Sequence, residues 1–284
     1  MRASRILAVL FVHCFATASA AVPLAFHLTP QGAIIVPVIV NGTGPAAFLV
    51  DTGSNGSVIS EELAAASGAR GVAKTTMVSA AGQKDVLVTR IEHLAIGEVT
   101  ASGVLATLAS PDAFNLPDVA ASGLKVQGVI GQDVLATLRY TIDYGKRRIE
   151  WHDAGAPVPR RATAFELEPQ DDRFVVALPQ DGHVLRLVPD SGSETLVLFQ
   201  GDGTSQPRVT RANESTGLTG LTGTRTARTA IVRALRVGST TLMDVAAVIV
   251  GRECGSPVDG LLPLHIFARV TFNGPERQLF IEDR

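Results

Sequence analysis

The sequence predicts a mainly β protein built from two similar lobes, with few and short helices. An apolar strand, a turn and a second apolar strand occur twice, at residues 34–40, 41–42 and 46–50, and at residues 174–178, 181–182 and 184–188. The turns are Asn-Gly and Asp-Gly, which are strong signals for a β-hairpin. Since the pattern recurs in each half of the chain, we expect one structural plan used twice.

The similarity between the halves continues downstream. Residues 88–99 parallel residues 230–241, because both stretches carry spaced apolar side chains followed by a glycine turn. Each half then has an apolar segment with glycine, at residues 128–131 and 260–263, and ends in a short β-like run, at residues 148–151 and 278–281. We therefore predict an N-terminal lobe over residues 21–152, a Pro- and Gly-containing linker over residues 153–164, and a C-terminal lobe over residues 165–284.

Helices are expected at two places in the first lobe. Ser60 is a suitable N-cap for a helix over residues 61–66, with Gly68 as its stop. Residues 132–138 form the second candidate.

The N-terminus has the order of a signal peptide. Arg2 and Arg5 precede an apolar stretch over residues 6–18, and Ala18-Ser19-Ala20 fits a cleavage site for small residues. A buried first strand or helix is the alternative reading of this stretch. We expect residues 1–20 to be removed and the protein to be periplasmic or secreted.

Composition excludes several functions. The chain has 284 residues with 25 basic and 27 acidic side chains, and no run of Lys or Arg, so we do not expect nucleic-acid binding. No stretch after the N-terminus approaches the length of a membrane span.

The six histidines are scattered without a metal-binding motif, so we expect no metal and no cofactor. Residues 42–47 resemble a dinucleotide-binding loop, but a strand follows where a helix is needed.

The second strand of each hairpin runs into a similar tetrapeptide, Asp51-Thr52-Gly53-Ser54 in the first half and Asp190-Ser191-Gly192-Ser193 in the second. Two carboxylates that lie close together cannot both ionise cheaply, so they share one proton. The ionised group can take a proton from water while the protonated group polarises a peptide carbonyl. Asp51 and Asp190 are therefore the candidate catalytic pair, and ordinary Asp-initiated β-turns are the alternative.

The flanking residues support this chemistry. Gly53 and Gly192 allow the backbone to approach the carboxylates closely, and Thr52 and Ser191 can hydrogen-bond across the interface between the lobes. We expect the hydroxyls of Ser54 and Ser193 to donate to the carboxylates and to fix their orientation.

In these motifs the sequence resembles the pepsin-like and retropepsin-like aspartic proteases, over roughly residues 33–151 and 173–281. The resemblance implies the acid-protease double β-barrel, a cleft between the lobes, and aspartic endopeptidase activity on a polypeptide substrate. It also implies hairpin flaps, near residues 75–88 with Ala81-Gly82-Gln83 at the tip, and near residues 217–226. Because one chain carries both motifs, we expect a monomer.

The second lobe departs from the family pattern. Pro189 precedes Asp190, where a plain apolar residue is usual, and Pro263 stands where the first lobe has Gly131. Neither flap candidate carries the tyrosine of pepsin-like flaps, which places the lobes nearer the retropepsin-like branch. The alternative function is a catalytically weak or inactive acid-protease fold that binds peptides.

Overall fold

The computed structural model describes residues 22–79, 81–180, 182–200, 209–210, 215–251 and 257–284. The predicted signal peptide over residues 1–20 and Asp181 of the second predicted turn lie outside these described residues. Strands account for 60% of the structure and helices for 8%, which confirms the prediction of a mainly β fold with few helices.

The first half of the chain contains most of the helical residues. Its strands are β1 (Leu24–Ala25), β2 (His27–Leu28), β3 (Ile34–Val40), β4 (Thr43–Val50), β5 (Val58–Ser60), β6 (Gly71–Ser79), β7 (Gly82–Ile96), β8 (Val99–Ala109), β9 (Val126–Ile130), β10 (Arg139–Asp143) and β11 (Arg148–Trp151). Its helices are α1 (Glu61–Ala66), a 3-10 helix (Pro111–Phe114), α2 (Pro117–Ala121) and α3 (Gln132–Leu135).

The second half consists of strands and turns among the residues that the structure describes. The strands are β12 (Thr163–Glu166), β13 (Glu168–Gln170), β14 (Arg173–Gln180), β15 (His183–Asp190), β16 (Leu196–Gln200), β17 (Val209–Thr210), β18 (Ser215–Gly220), β19 (Gly223–Val237), β20 (Thr240–Gly251), β21 (Gly260–Pro263), β22 (Arg269–Asn273) and β23 (Gln278–Glu282).

Each half folds into a sheet with the same plan. The first sheet has the order β2-β3-β4-β9-β5-β8-β7-β6, and the second has the order β13-β14-β15-β21-β16-β20-β19-β17, with β18 paired to β19. In both sheets the strand that leads to the candidate aspartate is parallel to a later strand, β4 to β9 and β15 to β21. The internal duplication read from the sequence is therefore present in the strand order.

A third, six-stranded sheet joins the two halves, with the order β1-β11-β10-β22-β23-β12. Its central pairing is between β10 and β22, which places Thr141 opposite Thr271, and their hydroxyls hydrogen-bond at 2.7 Å. On this sheet the rings of Tyr140 and Phe272 stack with centroids 5.1 Å apart. Because the sheet takes strands from both halves, it fixes one lobe against the other.

Charged side chains of this sheet form a cluster of ion pairs around Arg269. The guanidinium of Arg269 lies within 3.4 Å of Asp143, within 3.1 Å of Glu150 and within 3.4 Å of Glu282. A cation shared by three partly buried carboxylates offsets the desolvation that each carboxylate would otherwise suffer.

The local predictions for helices and turns compare well with the structure. Helix α1 begins after Ser60, whose hydroxyl accepts a hydrogen bond from the Leu63 amide at 3.1 Å, as predicted for an N-cap. Helix α3 ends at Leu135 and not at residue 138, because a turn follows it and β10 begins at Arg139. Residues 43–50 form strand β4, so the glycines at residues 42–47 do not lead into a helix.

Candidate active site

The two candidate aspartates lie at equivalent positions at the ends of parallel strand pairs. Asp51 follows the last residue of β4, and its amide donates to the carbonyl of Ile130 on β9 at 3.0 Å. Asp190 is the last residue of β15 and is paired with Pro263 on β21. Parallel pairing of each strand therefore delivers one aspartate from each lobe.

Thr52 and Ser191 bind each other across the interface between the lobes, as predicted. The Thr52 amide donates to the Ser191 hydroxyl oxygen at 3.1 Å, and the Ser191 amide donates to the Thr52 hydroxyl oxygen at 3.0 Å. The same hydroxyls donate to backbone carbonyls of the opposite lobe, Thr52 to Pro189 at 2.8 Å and Ser191 to Val50 at 2.7 Å. Both side chains are buried, so these hydrogen bonds are shielded from water.

Backbone amides hold the carboxylates. The amides of Gly53 and Ser54 donate to Oδ1 of Asp51 at 2.9 and 3.0 Å. The amide of Gly192 donates to Oδ1 of Asp190 at 2.7 Å. The two carboxyl groups lie close enough for the charge of Asp51 to raise the pKa of Asp190, so the motifs meet at their functional atoms.

The expectation for the hydroxyls of Ser54 and Ser193 is wrong. The Ser54 hydroxyl donates to the carbonyl of Gly56 and the Ser193 hydroxyl donates to the carbonyl of Thr195, each at 2.8 Å. Each hydroxyl therefore closes its own loop two residues downstream, and the backbone amides take over the orientation of the carboxylates. Ser54 and Ser193 remain supporting residues because they stabilise the loops that carry those amides.

Gly53 and Gly192 each lie against the aspartate of the opposite lobe. A Cβ atom at Gly192 would be 2.8 Å from Cγ of Asp51, and a Cβ atom at Gly53 would overlap the carboxyl group of Asp190. Real Cβ atoms do not approach other heavy atoms so closely. Glycine at these two positions is therefore what allows the carboxyl groups to meet.

Both aspartates retain protons more strongly than ordinary carboxyl groups. Burial raises the pKa of Asp51, while hydrogen bonds from the Asp190 side chain and from the amides of Gly53 and Ser54, and the charge of Arg173, oppose that rise. Burial also raises the pKa of Asp190, and the neighbouring charge of Asp51 holds it well above the ordinary value. The pair therefore favours a state in which the two carboxyl groups hold one proton between them.

The two prolines of the second lobe are compatible with this geometry. The carbonyl of Pro189 accepts the hydrogen bond from Thr52, so the contact does not need an amide at residue 189. In the first lobe the Gly131 amide donates to the Ser57 hydroxyl at 3.2 Å. At the equivalent positions the second lobe has Leu196, which has no hydroxyl, and Pro263, which has no amide hydrogen, so both partners of this bond are absent together.

Gln132 is a supporting residue that the sequence reading did not identify. Its backbone amide donates to the carbonyl of Ser54 at 2.9 Å, and its buried side-chain amide donates to the carbonyl of Thr52 at 2.8 Å. Its place directly after the apolar segment at residues 128–131 was the signal for this role. The second lobe has Leu264 at this position, and its amide donates to the carbonyl of Asp190 at 3.1 Å.

Hairpins lie at both predicted flap positions. In the first lobe β6 and β7 pair from Gly71 to Thr89, with Ala81 in the turn. In the second lobe β18 and β19 pair up to Gly220 and Gly223, so Leu221 and Thr222 form the turn. Strand β7 of the first lobe also contacts strand β19 of the second.

The sequence model of the aspartyl protease family matches the chain twice, over residues 36–134 and 176–265. These matches cover more than half of the chain and contain both aspartates. The chain therefore belongs to the aspartyl protease family, and its described residues form two similar lobes.

Solved structures with a similar fold include two seed proteins. Conglutin gamma, a basic 7S globulin from lupine seeds, is 11% identical with a TM-score of 0.51, and the alignment covers 92% of this chain and 94% of that one. Basic 7S globulin from soybean is 11% identical with a TM-score of 0.48, with coverage of 92% and 94%. At this identity the lupine protein supports the fold alone. No curated protein sequence matches the chain.

The described residues contain no group of three or more His, Cys, Asp or Glu side chains that could hold a metal ion. Within the same part of the chain, no helix is long and apolar enough to cross a membrane.

Proposed function

We propose that this protein is an aspartic endopeptidase that hydrolyses peptide bonds with a water molecule activated between Asp51 and Asp190. One observation carries the proposal: the loops of Asp51 and Asp190 meet at the junction of the lobes, with Gly53 against the Asp190 carboxyl group and Gly192 against the Asp51 carboxyl group, and burial raises both pKa values. A pair that holds one proton provides a general base and a general acid at the same place.

The chemistry follows from the position of the proton. The ionised carboxylate of the pair takes a proton from the attacking water, and the protonated carboxyl group hydrogen-bonds to the oxygen of the scissile carbonyl. The resulting tetrahedral intermediate breaks down as a carboxyl group returns a proton to the departing amine. The amides of Gly53 and Gly192 keep the carboxylates in place, so little reorganisation is needed during the reaction.

The second lobe supports activity and not only binding. Pro189 and Pro263 are the departures that cast doubt on it, yet Asp190 accepts an amide hydrogen bond from Gly192 just as Asp51 does from Gly53. The interface contacts of Thr52 and Ser191 are also reciprocal. Both halves of the site are therefore built to the same pattern.

A peptide-binding module with weak or no catalysis is the second candidate. The observation in its favour is that Leu221, from the hairpin of the second lobe, packs on apolar residues of the first lobe beside Asp51. While Leu221 stays in place it takes up space beside Asp51, so a bound peptide would be held away from the position needed for cleavage.

The proposal extends to the partner, the assembly and the location. A polypeptide in extended form suits a cleft formed by two sheets. One chain supplies both aspartates, so we infer that the monomer is the active form. The residue order at positions 1–20 supports export to the periplasm or the medium, with cleavage after Ala20.

The test is cleavage of a diverse peptide library by the purified protein lacking residues 1–20, with and without pepstatin, an inhibitor of aspartic peptidases. We expect acid-dependent cleavage that pepstatin blocks and a specific activity that does not fall on dilution. Peptide binding without cleavage would favour the binding module. A protein that neither binds nor cleaves any peptide of the library would overturn the proposal.

A further inference from the structure

The hairpin of β18 and β19 ends in a large apolar side chain. The turn between Gly220 and Gly223 consists of Leu221 and Thr222. Leucine in a two-residue hairpin turn has no local partner, since such turns favour Gly, Asn and Asp. Leu221 is nevertheless half-buried, so something outside its own hairpin covers it.

The side chains that cover Leu221 belong to the first lobe. Leu221 packs against a cluster of buried apolar side chains that includes Leu49, Val58, Phe114, Val119 and Val129, called here the Asp51-side cluster. Leu218 lies on the same hairpin but packs within the second lobe, against Val197 and Val250. Leu221 is therefore a contact between the lobes, and Leu218 is not.

The Asp51-side cluster lies on the face of the sheet that presents the catalytic carboxylate. Successive side chains of a strand alternate between its faces, so Leu49 and Asp51 point the same way. Leu49 is paired with Val129, and Val129 is paired in turn with Val58. The cluster thus begins within two residues of Asp51 in the chain.

The first-lobe hairpin has a small residue at the described part of its turn. Its turn holds Ala81, which is buried but has only a methyl group. The hairpins of the two lobes are therefore unequal, and the second one places an isobutyl group on the apolar surface beside Asp51.

We propose that Leu221 occupies an apolar side-chain subsite beside Asp51 and inhibits the protein from within, so that a peptide must displace it. This inference rests on the proposed function and adds to it. It assigns the substrate class as peptides with a branched aliphatic residue next to the scissile bond, because the subsite already accommodates leucine. Opening requires only that the tip of the hairpin lift, since Leu221 has no covalent tie to the first lobe.

The test is the binding of a leucine-containing peptide whose central bond is a non-hydrolysable CH2–NH group, measured by calorimetry with three proteins. Leu221→Ala removes the occupant and keeps the hairpin, and we expect it to bind the peptide roughly tenfold more tightly than the natural protein, which corresponds to about 1.4 kcal/mol. Leu218→Ala is the matched control, with the same substitution on the same hairpin, and we expect a change of less than about twofold.

The opposite results overturn the inference. If Leu221 instead anchors a hairpin that closes over bound peptide, Leu221→Ala binds more weakly. Equal binding, or no binding by either protein, also rejects it. Hydrogen exchange of the free proteins gives a measurement without ligand: amides of β18 and β19 should exchange faster in Leu221→Ala than in Leu218→Ala, and equal rates would contradict the contact.

The two proposals fail in distinguishable ways. If the natural protein cleaves nothing but Leu221→Ala still binds the peptide more tightly, the proposed endopeptidase activity is wrong and the occupied subsite stands. If the natural protein cleaves peptides and Leu221→Ala shows no gain in binding, the activity stands and the inference about Leu221 is wrong.

Discussion

Thr52 and Ser191 exchange hydrogen bonds across the centre of the molecule: the backbone amide of each donates to the side-chain hydroxyl of the other, at 3.1 and 3.0 Å. The two residues are 139 positions apart in the chain. Their reciprocal contact ties the loop of Asp51 to the loop of Asp190, so the distance between the carboxyl groups is set by buried hydrogen bonds.

The first prediction concerns this contact. Thr52→Ala and Ser191→Ala each leave a buried amide and a buried carbonyl without a partner, so each should lower the free energy of unfolding by about 1–3 kcal/mol. The double mutant should lose less than the sum, because both substitutions break the same network. Urea unfolding of the four proteins measures the coupling.

Thr76→Ala is the control for the loss of a threonine hydroxyl. Thr76 is exposed and donates to Asp85, so its substitution should change stability by less than about 0.5 kcal/mol. Additive losses for Thr52 and Ser191 would show that the reciprocal contact is not one energetic unit.

The second prediction concerns the glycines. Gly53→Ala and Gly192→Ala each place a Cβ atom against the opposite aspartate, so the carboxyl groups must separate. We expect kcat to fall by at least about a hundredfold, as for other displacements of about 1 Å at a catalytic centre. Gly56→Ala lies in the same loop as Gly53 and meets no atom within 4 Å, so it should retain most activity. Full activity in Gly53→Ala would contradict the crossed packing.

The third prediction links Asp190 to stability. A carboxyl group whose pKa is raised by folding contributes stability that is fully present below its unfolded pKa of about 3.9 and is lost as the pH rises through the folded pKa. Asp190→Asn has no ionisable group at this position, so it does not lose stability in this way as the pH rises. Relative to the natural protein, the variant should therefore gain on the order of 1–3 kcal/mol between about pH 3 and pH 7.

Unfolding measured across that pH range provides the comparison. Glu98→Gln is the control, because Glu98 is exposed and its substitution subtracts the general effect of one negative charge. An advantage of Asp190→Asn that stays constant or shrinks as the pH rises would rule out a raised pKa at this position.

The fourth prediction is the pH dependence of cleavage. The dyad works while it holds one proton, so kcat/KM should pass through a maximum below about pH 7 and fall as the pair loses that proton. Initial rates over a range of pH, with one fluorogenic peptide, measure the profile. A rate that keeps rising through about pH 8 would contradict a shared proton.

The dyad was predictable from sequence because its information is local. A strand, an aspartate, a hydroxyl residue and a glycine stand next to one another in each half, and the repeat places the two copies in the same environment. Strand β3 and the Ser60 cap of α1 were likewise predictable, since hairpin turns and helix caps depend on neighbouring residues.

Contacts between distant residues could not be predicted in the same way. The pairing of β10 with β22 joins Thr141 to Thr271, and nothing near either residue indicates its partner. The hydroxyls of Ser54 and Ser193 were assigned to the carboxylates because a hydroxyl is a suitable donor. The loops instead bring backbone amides to the carboxylates, and sequence does not reveal that geometry.

The most direct test of the proposed mechanism is the cleavage rate of Asp190→Asn compared with Asp51→Asn and the double variant. Asparagine keeps the shape of the side chain but cannot exchange the proton, so each single variant should lose nearly all cleavage and the double variant should be little worse. All three should remain folded, because burial of like charges is relieved. If Asp51→Asn is inactive while Asp190→Asn keeps its activity, the second lobe is only a scaffold and the shared-proton mechanism is wrong.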